Sequence, residues 1–171
     1  TEDSTRHIFP EVQILGGHSA EVTAVAWSPD GTHILTASID GTARIWDTIT
    51  GDNTLTLTDT DRITAVAWSP DGTHILTASR SGMAQIWDAT TGDNTQTLTL
   101  TRIGWGTAAA WSPDGTHILT ASREGTVRIW DATTGDNTQT LTSDRWVTAV
   151  AWSPNGTHIL TASREGTVRI W

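Results

Sequence analysis

One twenty-residue stretch, WSPDGTHILTASREGTVRIW at residues 111–130, occurs four times in recognisable form, beginning at Trp27, Trp68, Trp111 and Trp152. The copies follow one another at steps of 41, 43 and 41 residues, and within this window the last two differ only at Asp114 against Asn155. A fixed period of this size means one supersecondary unit stacked on copies of itself, since no single unit can bury its own apolar face. The repeat therefore constrains the fold before any local preference is weighed.

Within the first unit, residues 22–27 (VTAVAW) read as a strand that is apolar on both faces except at Thr23, and is therefore expected to be buried on both sides. Ser28-Pro29-Asp30-Gly31 reads as a turn, because proline presets one φ and glycine accepts a positive one. Residues 33–38 (HILTAS) form the next strand, and Asp40-Gly41 is a hairpin signal. Residues 42–46 (TARIW) and 54–58 (TLTLT) complete the unit around the turn at Thr50-Gly51-Asp52. Residues 11–15 (EVQIL) alternate as one further half-buried strand, and residues 1–10 read as a mobile lead-in. Only 17% of the chain is charged and threonine is abundant, which suits strands over helices. Four antiparallel strands per unit, at even spacing and without a helix, predict an all-β propeller with blades over residues 11–171.

The units resemble WD40 repeats, carrying Gly17-His18 and Trp46-Asp47 as that family's signature pairs. The resemblance covers residues 12–171 and implies a WD40-type β-propeller with four blades of four strands. It also implies that the strand at residues 11–15 acts as a clasp, completing the last blade of this chain or of a partner copy. It further implies a hydrogen-bonded tetrad of His18, Thr36, Asp40 and Trp46 in blade one. The place of Asp40 is taken by Ser81, Glu124 and Glu165 in the other blades, and that of His18 aligns with Asp59, Arg102 and Ser143. Rings of this family usually hold seven or more blades. A closed four-blade ring would turn about 90° per blade and an eight-blade ring about 45°, and small residues such as Ala24, Ala26 and Ala37 suit the narrower wedge. The expectation is completion to eight blades by homodimerisation about a two-fold axis. A closed monomer and a fragment or other assembly are the alternatives.

Cysteine is absent, which excludes disulfides, thiolate metal sites and a cysteine nucleophile. The net charge of −9 disfavours nucleic acid, no apolar run approaches 18 residues, and no signal-like stretch opens the sequence, so neither membrane nor nucleic acid is an expected partner. The expected location is cytoplasmic. His33, His74, His117 and His158 recur in one register, as a repeat requires and a catalytic group does not. One imidazole per blade is too dispersed to share a metal ion, and Asp59 with Asp61 lacks the glycine-bearing loop of a calcium site. No catalytic motif, metal or cofactor is expected. Asn155-Gly156-Thr157 has the form of a sequon but reads as a turn, with Asn-Gly compatible with type I′.

The repeats vary at two places while their framework stays fixed. Six residues before each first-strand tryptophan stand Glu21, Arg62, Trp105 and Trp146; immediately before each acidic position of the second-to-third-strand turn stand Ile39, Arg80, Arg123 and Arg164. In the family these loops share one face. Arg62, Arg80, Trp105, Arg123, Trp146 and Arg164 are therefore the ligand-face candidates, suited to an acidic or aromatic peptide. Alternatively Arg80, Arg123 and Arg164 pair with Glu or Asp of adjacent loops, including Glu124 and Glu165. The functional expectation is a non-catalytic protein- or peptide-binding scaffold that self-assembles. The alternatives are a structural module of amplified or engineered repeats without a ligand, and a carbohydrate-binding propeller using Trp105 and Trp146 as sugar platforms.

Overall fold

The computed structural model describes residues 12–100, 105–143 and 146–171; the lead-in at residues 1–10, Glu11 and Arg102 lie outside them. The described residues hold fifteen strands and no helix. Blade one is β1 (Val22–Trp27), β2 (His33–Ser38), β3 (Thr42–Asp47) and β4 (Asn53–Thr58). Blade two is β5 (Ile63–Trp68), β6 (His74–Ser79), β7 (Met83–Asp88) and β8 (Asn94–Thr99). Blade three is β9 (Gly106–Trp111), β10 (His117–Ser122), β11 (Thr126–Asp131) and β12 (Asn137–Thr142). Blade four is β13 (Val147–Trp152), β14 (Ile159–Ser163) and β15 (Val168–Ile170). The first three are four-stranded antiparallel sheets in chain order, and the fourth has three strands.

The repeated turns set this meander. In Ser28-Pro29-Asp30-Gly31 the Asp30 carboxylate accepts from the Ser28 hydroxyl at 2.6 Å and the Thr32 N–H at 3.0 Å, while Gly31 adopts φ 71°. The Ser28 hydroxyl oxygen accepts the His33 N–H at 2.9 Å and so starts β2. The same bonds form at Asp71, Asp114 and Asn155. Only the glycine of this turn has positive φ, so Asn155-Gly156 is not a type I′ pair, which needs positive φ at both residues. Across the sheet, Ile34 stands opposite both Trp27 and Trp46, and this register recurs in every blade.

The core lies between blades. Leu35, Ala37, Ala43, Ile45 and Leu57 of blade one pack with Ile63, Ile75 and Trp87 of blade two, and Trp68 leans on the cluster. Two further clusters repeat this at the following junctions. The Thr23 hydroxyl donates to the Ile63 carbonyl at 2.7 Å and the Thr64 hydroxyl donates to the Gly106 carbonyl at 2.7 Å, so β1 is stitched to β5 and β5 to β9. Gly106 stands where the other blades have Val22, Ile63 and Val147, because a Cβ there would lie 3.0 Å from both Leu100 Cδ1 and the Ser79 carbonyl oxygen. Leu100, only 2% exposed, fills that volume instead.

The four blades form an arc with two uncovered ends. Trp27 is 64% and Val25 69% exposed, whereas Trp68, Trp111 and Trp152 pack against the preceding blade. The expectation that residues 22–27 are buried on both sides therefore fails for β1 and holds far better for β5. At the other end Val168 is 69% exposed and Leu160 42%, although Val127 and Leu119, in the identical sequence of blade three, are 0% exposed. Residues 12–15 are not a strand in the single chain; Val12 and Ile14 are 91% and 86% exposed and do not complete blade four.

Candidate functional site

Backbone geometry brings the two variable sets of positions together. In each blade the residue after the second strand donates its N–H to the carbonyl of the residue before the first strand. These bonds run from Ile39 to Glu21 at 3.1 Å, Arg80 to Arg62 at 2.9 Å, Arg123 to Trp105 at 2.9 Å and Arg164 to Trp146 at 3.0 Å. Both side chains of each pair thus leave the same end of their blade.

From blade two to blade four these side chains interleave into one stack. The Arg80 guanidinium lies 3.6 Å from the Trp105 ring centroid and Arg123 lies 4.7 Å from the same ring. Arg123 also lies 3.8 Å from the Trp146 ring, and Arg164 lies 4.3 Å from it. The order is Arg80, Trp105, Arg123, Trp146, Arg164. The closest contact at each tryptophan comes from the arginine of the preceding blade, so the stack is a property of the arc and not of a single blade. Eight of the ten tryptophans belong to the repeat framework; Trp105 and Trp146 are the two outside it, and both serve here. Arg62 is exposed beside the stack, and blade one contributes Glu21 and Ile39, which cannot extend it.

Trp146 is the one non-glycine residue with positive φ among the described residues, at 57°, and its N–H donates to the Arg123 carbonyl at 2.6 Å. A left-handed conformation costs an L-residue about 1–2 kcal/mol. Each guanidinium–indole contact contributes about 0.5–1 kcal/mol at exposed sites, and more when desolvated. The two contacts made by Trp146 are therefore enough to hold this turn. Neighbouring guanidiniums, at most about 8 Å apart across each ring, repel by at least about 0.5 kcal/mol in water and about 2 kcal/mol at an effective dielectric of 20.

No acidic group among the described residues pairs with the stack. Among the described residues the one ion pair is His18 with Asp40. Glu124 and Glu165 are exposed and do not pair with Arg80, Arg123 or Arg164, so the alternative reading of the loops fails at these two residues, while Asp144 lies outside the described residues. Nor does any of these three guanidiniums donate a hydrogen bond to a described residue, although their faces are stacked on the indoles.

The tetrad sits below this face in blade one. His18 Nε2 is 2.7 Å from Thr36 Oγ1, His18 Nδ1 is 3.1 Å from the Asp40 carboxylate, and Trp46 Nε1 donates to Thr36 at 2.8 Å. Burial pushes the Asp40 carboxyl up, but bonds from the Thr42 hydroxyl, the Ser19 and Thr42 N–H groups and His18 outweigh it and hold the group well below the usual carboxylate range. The Trp–Thr bond survives alone elsewhere: Trp87 to Thr77 at 3.0 Å, Trp130 to Thr120 at 2.8 Å and Trp171 to Thr161 at 3.1 Å. Beside the last two tryptophans, Arg128 and Arg169 stand 5.7 and 6.0 Å from the ring. The alignment of Arg102 with His18 needs correction. The N–H groups of Asp59, Leu100 and Ser143 bond the carbonyls of Gly41, Gly82 and Gly125 respectively, so Leu100 holds that place and the two extra residues of blade three follow it.

Of the recurring histidines, His33, His74 and His117 open the second strands of their blades and His158 directly precedes β14. Nδ1 of His33, His74, His117 and His158 lies 2.7–2.8 Å from the preceding threonine hydroxyl, and His74 and His117 lean on Trp111 and Trp152 of the next blade. No group of three metal-ligating side chains occurs among the described residues. Asp59 instead uses its carboxylate on the Thr60 and Asp61 N–H groups. An open groove of about 650 Å³ between blades two and three, at the opposite end of the blades, is lined by Asp71, His74, Trp111 and Asp114.

The family model described as the IFT122 first beta-propeller matches residues 9–171. Single repeats are also similar to curated proteins. The chain is 51% identical over 43 residues to the WD40 repeat-containing protein HOS15 of Arabidopsis thaliana, 25% of this chain and 7% of that protein. It is 42% identical over 45 residues to the COMPASS component SWD1 of Saccharomyces cerevisiae, 26% of this chain and 11% of that protein. It is 37% identical over 51 residues to a probable cytosolic iron-sulfur protein assembly protein, Ciao1, of Culex quinquefasciatus, 30% of this chain and 15% of that protein. Each alignment thus spans a small fraction of the relative's own length.

Proposed function

This chain belongs to the WD40 β-propeller family, and from that premise we propose that it is a non-catalytic protein-interaction scaffold whose docking face is the arginine–tryptophan stack. One observation carries the reading: three guanidiniums stand in line across three blades, stacked on indoles and without a carboxylate partner among the described residues, on a protein of net charge −9. Guanidiniums aligned in this way are pre-organised to pair with carboxylates, so most of their side-chain entropy is already spent before a ligand arrives. The partner is an acidic protein segment. A sugar platform is less well supported, because each indole already carries two guanidiniums.

The test uses poly-glutamate as probe. It should bind at low ionic strength and weaken as salt screens the charges. Arg123→Ala and Trp146→Ala should each weaken it about tenfold or more, and Arg62→Ala much less. Unchanged binding in the first two variants would overturn this choice of face.

A second reading, self-assembly into an eight-blade ring, is favoured by the two uncovered ends. Val25 and Trp27 at one end, and Leu160, Val168 and Ile170 at the other, are the residue positions that meet at every internal junction. Two copies joined end to end at both junctions would close a ring about a two-fold axis, with residues 12–15 free to add a fourth strand to blade four of the second copy. Light scattering over a range of concentrations should then give twice 18.4 kDa; a monomer of 18.4 kDa throughout would rule the ring out.

A further inference from the structure

We infer that the stack selects an extended acidic segment with carboxylates at alternate positions, one for each of Arg80, Arg123 and Arg164. The inference rests on the docking role proposed for this face and adds the spacing of the ligand. Arg80 and Arg123 flank Trp105 at 3.6 and 4.7 Å, so their guanidinium carbons are at most about 8 Å apart. Arg123 and Arg164 flank Trp146 at 3.8 and 4.3 Å, which sets the same limit of about 8 Å.

An extended chain advances about 3.3 Å per residue, and side chains two apart project from the same face. Carboxylates at i, i+2 and i+4 therefore recur about every 6.7 Å on one side, within the step between guanidiniums. Adjacent acidic residues point to opposite faces. Residues three apart also face opposite ways, and residues four apart lie about 13 Å from each other, beyond the limit. Alternation is thus the one extended pattern that gives every arginine a carboxylate. Each carboxylate would also relieve the repulsion between guanidiniums that the indoles only separate.

The strand-like ligand suits the site for a second reason. The indoles sit between the arginines and block sideways movement of the guanidiniums, so the receptor cannot shift to suit a different spacing. Both stacking partners of Arg123 come from loops anchored by backbone hydrogen bonds, at Trp105 through Arg123 N–H and at Trp146 through its own N–H.

The experiment compares two heptapeptides of equal composition by isothermal titration calorimetry at low ionic strength. One is Ser-Glu-Ser-Glu-Ser-Glu-Ser and the other Ser-Ser-Glu-Glu-Glu-Ser-Ser, both with blocked termini. The alternating peptide should bind about fivefold or more tightly, since it engages three guanidiniums and the contiguous one engages two. A third peptide, alternating but with glutamine at the central acid, should lose that advantage against the native protein. Against Arg123→Gln the alternating peptide and its glutamine form should bind alike. Equal affinity of the alternating and contiguous peptides for the native protein, or preference for the contiguous one, would overturn the spacing while leaving the docking face intact. Failure of every acidic peptide to bind would overturn both.

Discussion

Trp146 is the residue at which local preference and site geometry part company. Nothing in the tripeptide around it calls for a left-handed backbone, and the equivalent Trp105 reaches its place at ordinary φ. A pair of substitutions separates the conformational cost from the contacts. Trp146→Gly and Trp146→Ala both remove the indole, but only alanine keeps the left-handed penalty, so thermal denaturation should find the glycine variant more stable by about 1 kcal/mol. Equal stabilities would mean that the segment relaxes once the ring is gone. The candidate residues themselves were legible in the sequence as variable positions on a fixed framework. Their order in the stack was not, because the arginine of one blade seats against the tryptophan of the next.

At the scale of the element, the turn between the first two strands is the most regular device in the molecule. Asp30, Asp71 and Asp114 are each lowered from the ordinary carboxylate value to about 2, first by the hydrogen bond from Ser28, Ser69 or Ser112 and then by the N–H and hydroxyl of the following threonine. Protonation of the folded state has to displace these donors, whereas in the unfolded chain aspartate titrates near 3.9. The stabilisation is complete above about pH 4 and is lost as pH falls through about 2. Asn155 makes the same turn without a titrating group. Replacing Asp30, Asp71 and Asp114 together by asparagine should therefore flatten the dependence of melting temperature on pH between 4 and 2, and Asn155→Asp should steepen it. The turn was plain in the sequence because serine, proline, aspartate and glycine each have one backbone reason to be there. The connector of blade three was harder. Aligning by tryptophan spacing placed Arg102 at the histidine position, and only the backbone ladder through Gly82 and Leu100 put the extra residues after it.

At the scale of the whole molecule, identical sequences lie in different surroundings. Val127 is fully buried and Val168 is 69% exposed, although both lie in the same stretch GTHILTASREGTVRIW, at 115–130 and 156–171. Val127→Ala should cost about 2 kcal/mol at any protein concentration. Val168→Ala should cost little in a monomer and a similar amount in a ring of two copies, where it would weaken association in light scattering. The register of the stack adds a sharper check on the ring. Each arginine leans on the residue six before the next first-strand tryptophan, so Arg164 would meet Glu21 of a second copy, an ion pair at each junction. Glu21→Arg should then raise the dimer dissociation constant several-fold, and Glu21→Arg combined with Arg164→Glu should restore it. No change in either variant would count against that junction.

The sequence by itself determined the blade. Period, turn residues and alternation each act within about ten residues, and together they leave a four-stranded meander as the one consistent local answer. The blade-one tetrad was also readable, since its four members sit at positions that the turns and strand register bring together. Tertiary structure decided what lies between blades: which copies of the same leucine and valine are covered, why glycine at 106 is matched by Leu100, and how arginines and tryptophans of separate repeats form one stack. The physical reason is that packing between repeats depends on what stands alongside, and identical strings of residues carry no record of their neighbours.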